Sequence, residues 1–163
     1  MMKLITQALL LGDSLAHNCR VQKRVLLVTE SVARSAVQDL LHCYWDVRSV
    51  QPMSVHCTRL DFCEQTFKRV STKLRALELV EYEKIVLLDL DLLVMRNIDD
   101  LFAFETPASV YPRHDHEDMP GSVRSAGLSF KNNDERSGSS INAGVMVLRP
   151  SVSEFRRISA QLN

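Results

Sequence analysis

The run Lys84-Ile85-Val86-Leu87-Leu88-Asp89-Leu90-Asp91-Leu92-Leu93-Val94 constrains this chain more than any other stretch. Four consecutive apolar residues at 85–88 predict a short strand buried on both faces, and a second apolar run follows the two acids at once. Burying an unpaired carboxylate is expensive, so acids in such company call for a neutralising partner. A divalent cation held by Asp89 and Asp91 at the C-terminal edge of the strand is the simplest partner. Their spacing lets both acids address one shared site if the chain bends there. Carboxylate oxygens are hard ligands and suit Mg²⁺ or Mn²⁺ better than zinc. The competing reading is a pair of acids capping backbone N–H groups where a strand gives way to a turn.

Around that strand, segments of helical spacing alternate with extended ones. Leu4, Ile5, Ala8, Leu9, Gly12, Leu15 and Ala16 predict an opening helix over 2–17, and 24–29 reads as a buried strand. Ser31 is placed to cap a helix whose stripe is Ala33, Ala36, Val37, Leu40 and Leu41. A second strand follows at 45–50, then a loop at 52–66, then a helix over 70–80 with Val70, Leu74, Leu77 and Val80 inward. Beyond the acids, Asn97 caps a helical turn at 98–102, and 108–111 is a strand. The polar stretch 112–139 is a loop longer than compact domains carry without a use for it. A strand over 140–148 stops at Pro150, and the Ser151-Val152-Ser153-Glu154 capping box opens a helix burying Val152, Phe155, Ile158 and Leu162. The alternation predicts one α/β domain across 1–163, built on a largely parallel central sheet.

Twenty basic and twenty acidic residues cancel, so no general attraction to nucleic acid or to an anionic membrane is expected. No segment is apolar for long enough to be transmembrane. The first eleven residues fall short of a signal peptide, because Gln7 interrupts them and no small-residue cleavage site follows. Cys19, Cys43, Cys57 and Cys63 form no Cys-x-x-Cys pair and read as thiols of a reducing compartment, Cys57 and Cys63 being the pair able to close a loop. The cytoplasm is the expected location, with the Golgi lumen as the alternative for a protein anchored upstream of Met1. His114-Asp115-His116 has ligand-like spacing but reads as a solvated loop.

Several linked segments resemble the glycogenin-like family 8 glycosyltransferases. They are Ser71-Thr72-Lys73-Leu74-Arg75, the stretch from Tyr82 through Asp91, Arg96-Asn97-Ile98-Asp99-Asp100-Leu101-Phe102, and the run Ile141-Asn142-Ala143-Gly144-Val145-Met146-Val147-Leu148-Arg149-Pro150-Ser151. The resemblance implies a GT-A fold, a Rossmann-like nucleotide-binding sandwich, and transfer of a hexose from a UDP-sugar donor with retention at the anomeric carbon. The acceptor would be a glycan or a protein. Asp89 and Asp91 match the family's metal motif, for Mn²⁺ or Mg²⁺, with Leu90 between them at the donor. Lys73 matches a basic position beside the donor, and Asn142, Ala143 and Gly144 match the segment lining its sugar, where glycine permits close backbone approach. Family members usually open with another strand before the first helix, and continue to an Asp-Gln motif and a later histidine. The resemblance therefore implies a transferase domain incomplete at both ends, with a catalytically inactive binding module as the alternative.

Two other chemistries compete. Gly12-Asp13-Ser14-Leu15 resembles the nucleophile block of the GDSL esterases, with Ser14 attacking an ester and Gly12 serving the oxyanion. That chemistry needs a strand before the serine and a late Asp-x-x-His. The helical period of the opening segment and the lack of any histidine after His116 speak against it. A haloacid-dehalogenase-like phosphatase would use Asp89 as nucleophile, but Leu92-Leu93 follows where a Gly-Thr is normal.

Overall fold

Helix α1 (Met2–Asn18) turns Ala8, Leu11 and Leu15 at helical spacing onto a core completed by Leu26, Leu41, Trp45 and Val94. Leu4, read as part of that stripe, is instead more than half exposed. In the computed structural model of the protein the described residues are 2–21, 23–30, 41–53, 71–110, 123–125 and 142–162. The predicted helix beginning at Ser31 lies mainly outside them, as do Cys57, Cys63, most of the 52–66 loop and His114-Asp115-His116. Cys19 and Cys43 are thiols, not disulfide-bonded.

Trp45 fixes how α1 packs. Its indole Nε1 donates to the Ala8 carbonyl at 2.9 Å, which brings the helix directly onto the 44–45 turn. A Cβ at Gly12 would lie 2.6 Å from Tyr44 Cβ and 2.7 Å from Trp45 Nε1. Only a residue without a side chain fits. Gly12→Ala is expected to cost about 1–3 kcal/mol despite alanine's better helix propensity, because overpacking outweighs propensity; a lowered urea midpoint checks it.

Strands β1 (Val25–Val28) and β2 (Asp46–Ser49) pair in parallel. The second sheet has the order β3-β6-β4-β5, from β3 (Ile85–Leu88), β4 (Ala108–Val110), β5 (Val123–Ser125) and β6 (Asn142–Leu148), and each of its pairings is antiparallel. The expectation of a largely parallel sheet is thus corrected to a small parallel sheet beside a larger antiparallel one. An apolar run shows that helices cover both faces of a strand, not which way its neighbour runs.

β3 is the wall between two cores. Leu88 packs toward α1, whereas Ile85 and Leu87 pack with Met53, Leu77, Leu148 and Phe155. The period of two assigns each residue to its side. Phe155, Ile158 and Leu162 of helix α2 (Val152–Leu162) close the second core. Ser151 Oγ accepts from Glu154 N at 3.3 Å, as the capping box requires, while the Glu154 carboxylate turns to Arg157.

Other boundaries shift. Within the predicted 70–80 helix, Lys73–Glu78 winds as a 3₁₀ helix and Val80 is 59% exposed, so it does not face the core. Strand β5 lies inside the predicted 112–139 loop. The residues of β3 are half-buried rather than buried on both faces, because Val86, Leu87 and Leu88 border a cavity. Val25, Leu26 and Leu27 of β1 border the same cavity, and among the described residues neither strand has a second neighbour.

Candidate functional site

The acids sit where β3 ends. Asp89 N donates to Gly144 O at 2.9 Å, which carries the β3–β6 ladder one residue past the strand. Leu92 N then donates to Asp89 O at 3.3 Å and closes a turn over 89–92. The chain therefore bends at the acid pair, the condition under which both side chains can serve one site. Leu90 packs against the α1 core, as do Leu92 and Val94.

Helix α1 holds the far side of this turn. Val94 N donates to Ser14 Oγ at 3.2 Å, and Val94 O accepts from Asn18 Nδ2 at 2.9 Å. Ser14 Oγ donates in turn to Leu11 O at 2.8 Å. Ser14 and Asn18 are the positioning residues that sequence reasoning missed. Their only signal is a pair of polar groups four apart on an otherwise apolar helix end. The same contacts speak against the esterase reading: the Ser14 hydroxyl is buried, it both donates and accepts a hydrogen bond, and no histidine among the described residues bonds it. Further along, Asp99 Oδ2 accepts from Arg20 N at 2.8 Å and from Asn97 Nδ2 at 2.9 Å. The Arg20 amide, then the Asn97 side chain, hold the Asp99 carboxyl below the usual carboxylate range.

A cavity of about 630 Å³ lies between α1, β1 and β3. Its walls are mainly apolar, Leu11, Leu26 and Val86 among them, and Lys73, Asp89, Leu90 and Asp91 line it together. The Lys73 ammonium is ion-paired with Asp89 Oδ1, each side chain about one-third exposed (31% and 30%). Asp91 is exposed and forms no hydrogen bond or ion pair with the other described residues. Gly144 adjoins the site through the Asp89 amide, with Ala143 beside it on β6. Asn142 stands at the start of β6, paired with Val110. Ala143 and Gly144 do not line the cavity itself.

No group of three His, Cys, Asp or Glu side chains occurs among the described residues, so they form no all-protein metal cage. Two carboxylates, one of them without a hydrogen-bond or ion-pair partner among the described residues and the other bonded to a cationic side chain, do suit a hard divalent ion. Mg²⁺-type sites commonly take one or two carboxylates and complete their coordination with substrate phosphates and water. The donor set fits a cation shared with a phosphorylated ligand.

A mixed α/β frame with a pair of acids does not name a function by itself, and the relatives narrow the class. The chain is 32% identical over 160 residues to an uncharacterized protein of Acanthamoeba polyphaga mimivirus, covering 97% of this chain and 55% of that protein. It is 26% identical over 157 residues to UDP-glucuronate:xylan alpha-glucuronosyltransferase 1 of Arabidopsis thaliana, covering 96% of this chain and 20% of that protein. To Glycogenin-1 of Mus musculus it is 35% identical over 102 residues, covering 60% of this chain and 30% of that protein. The chain thus spans about half the length of the viral relative and less of the two transferases. No protein-family model matches it. These likenesses support a glycosyltransferase at the level of broad class. No helix among the described residues is long and apolar enough to cross a membrane.

Proposed function

We propose that this chain carries the donor-binding part of a GT-A-type, family 8-like glycosyltransferase. It would transfer a hexose, with retention, from a UDP-sugar to a glycan or protein acceptor, using Mn²⁺ or Mg²⁺. The observation that carries this reading is the convergence of Lys73, Asp89 and Asp91 on one cavity at the end of β3. The xylan-modifying relative, whose name specifies UDP-glucuronate, and the glycogenin relative support the same reading.

Each residue has a task in that scheme. Asp89 and Asp91 would hold the cation from a turn whose shape is set by the Gly144 carbonyl on one side and α1 on the other. A divalent cation bound there would supply Lewis-acid stabilisation of the departing diphosphate. Lys73 offers a mobile ammonium to the same phosphate oxygens. Gly144 leaves room for the donor against the backbone of β6, and Asn142 with Ala143 borders its sugar. Apolar walls lower the local polarity beside the charged groups and so strengthen each charged contact.

Titration of UDP into the protein, with Mn²⁺ and then with the metal chelated, tests the reading. Binding is expected only with the cation present. Binding of equal strength under chelation, or no binding in either condition, would overturn it.

A further inference from the structure

We infer that Lys73 is an internal counter-ion for the acid pair, which opposes a cation arriving alone and yields Asp89 when cation and diphosphate arrive together. The inference rests on the donor-site reading above and adds to it a rule for the order of assembly.

The geometry is specific. Lys73 opens the 3₁₀ helix Lys73–Glu78, and Asp89 follows β3, so two separate elements deliver the paired groups. Lys73 Nζ bonds Asp89 Oδ1, one of the oxygens a cation would need. Among the described residues Asp91 has no such partner. The two acids and the lysine together carry one net negative charge. A dication added alone makes the cluster net positive and sets two like charges against the same carboxylate. Adding a nucleoside diphosphate with the dication brings compensating negative charge, and gives the ammonium phosphate oxygens in exchange for Asp89. Lysine suits this exchange, since its ammonium rides a flexible stem and its three donors need no fixed geometry. The partial burial of the pair keeps the competition from being screened away as it would be on an open surface.

The rule predicts that cation and nucleotide bind as mutually reinforcing ligands, and that removing the ammonium weakens the reinforcement. Mn²⁺ alone is titrated into the wild-type chain, Lys73→Met and Lys73→Arg, following loss of the free-ion paramagnetic resonance signal, and then again with UDP saturating. Lys73→Met is expected to bind Mn²⁺ alone about threefold to tenfold more tightly than wild type. UDP should then tighten Mn²⁺ binding by a correspondingly smaller factor. Lys73→Arg, which keeps the charge, should oppose Mn²⁺ alone as wild type does, and Lys73→Gln should repeat the Lys73→Met result. If Lys73→Met binds Mn²⁺ alone no more tightly than wild type while Mn²⁺-dependent UDP binding persists, the counter-ion role is wrong and the donor site stands. If none of the chains binds Mn²⁺ with or without UDP, both are wrong.

Discussion

Asp91→Ala is expected to weaken Mn²⁺-dependent UDP binding at least about 100-fold, more than the usual cost of disturbing a group that merely supports a metal ligand. The reasoning starts from what Asp91 does not do. It is exposed, and it forms no hydrogen bond or ion pair with the other described residues. Its removal therefore breaks no hydrogen bond or ion pair of the described fold, and stability should move by no more than about 0.5 kcal/mol. A large loss of binding with an unchanged melting temperature assigns the carboxylate to the ligand. Asp89→Ala is less informative, since it also releases the Lys73 ammonium. Calorimetric titration of UDP at saturating Mn²⁺ decides the matter: an Asp91→Ala chain that binds as wild type removes the acid pair from the site.

Trp45→Ala should be the most damaging single truncation outside the site, at about 3–5 kcal/mol. The indole is 8% exposed, lies in the core with Leu11, Leu26 and Val94, and spends its one donor on the Ala8 carbonyl. A domain of this kind has only about 5–15 kcal/mol in total. Trp45→Phe should cost less than Trp45→Ala, because it keeps most of the ring volume and forfeits chiefly the hydrogen bond. Urea unfolding gives both values. A Trp45→Ala loss under about 1 kcal/mol would mean that α1 is not held by this residue.

The parts of the molecule readable from sequence are those with a strong local cause. The opening helix follows from its apolar period, β3 from four apolar residues in a row, and α2 from its capping box. A shared site for the two acids requires a bend between them, and the Asp89–Leu92 hydrogen bond supplies it. What escaped was non-local. The antiparallel course of β3 and β6 depends on a partner more than fifty residues away in sequence, and nothing in Ile85-Val86-Leu87-Leu88 records the neighbour's direction. β5 was hidden because its three residues sit in a polar stretch and owe their conformation to pairing with β4. Val80 fits the helical period, but the 3₁₀ winding that begins at Lys73 stops at Glu78, which leaves Val80 exposed in the turn that follows. Gly12 and Ser14 mislead in an instructive way. Side by side they resemble a catalytic block, yet one is there for Trp45 to approach and the other to hold Val94.

That hold reaches beyond architecture. Because Ser14 and Asn18 grip both backbone polar groups of Val94, three residues after Asp91, the first eighteen residues and the acids cannot relax independently. On the proposed reading, whatever frays the amino-terminal helix would slacken the grip on a cation, and a captured cation would steady the helix by the same factor. A helix that never touches the ligand would thereby share in the free energy of holding it.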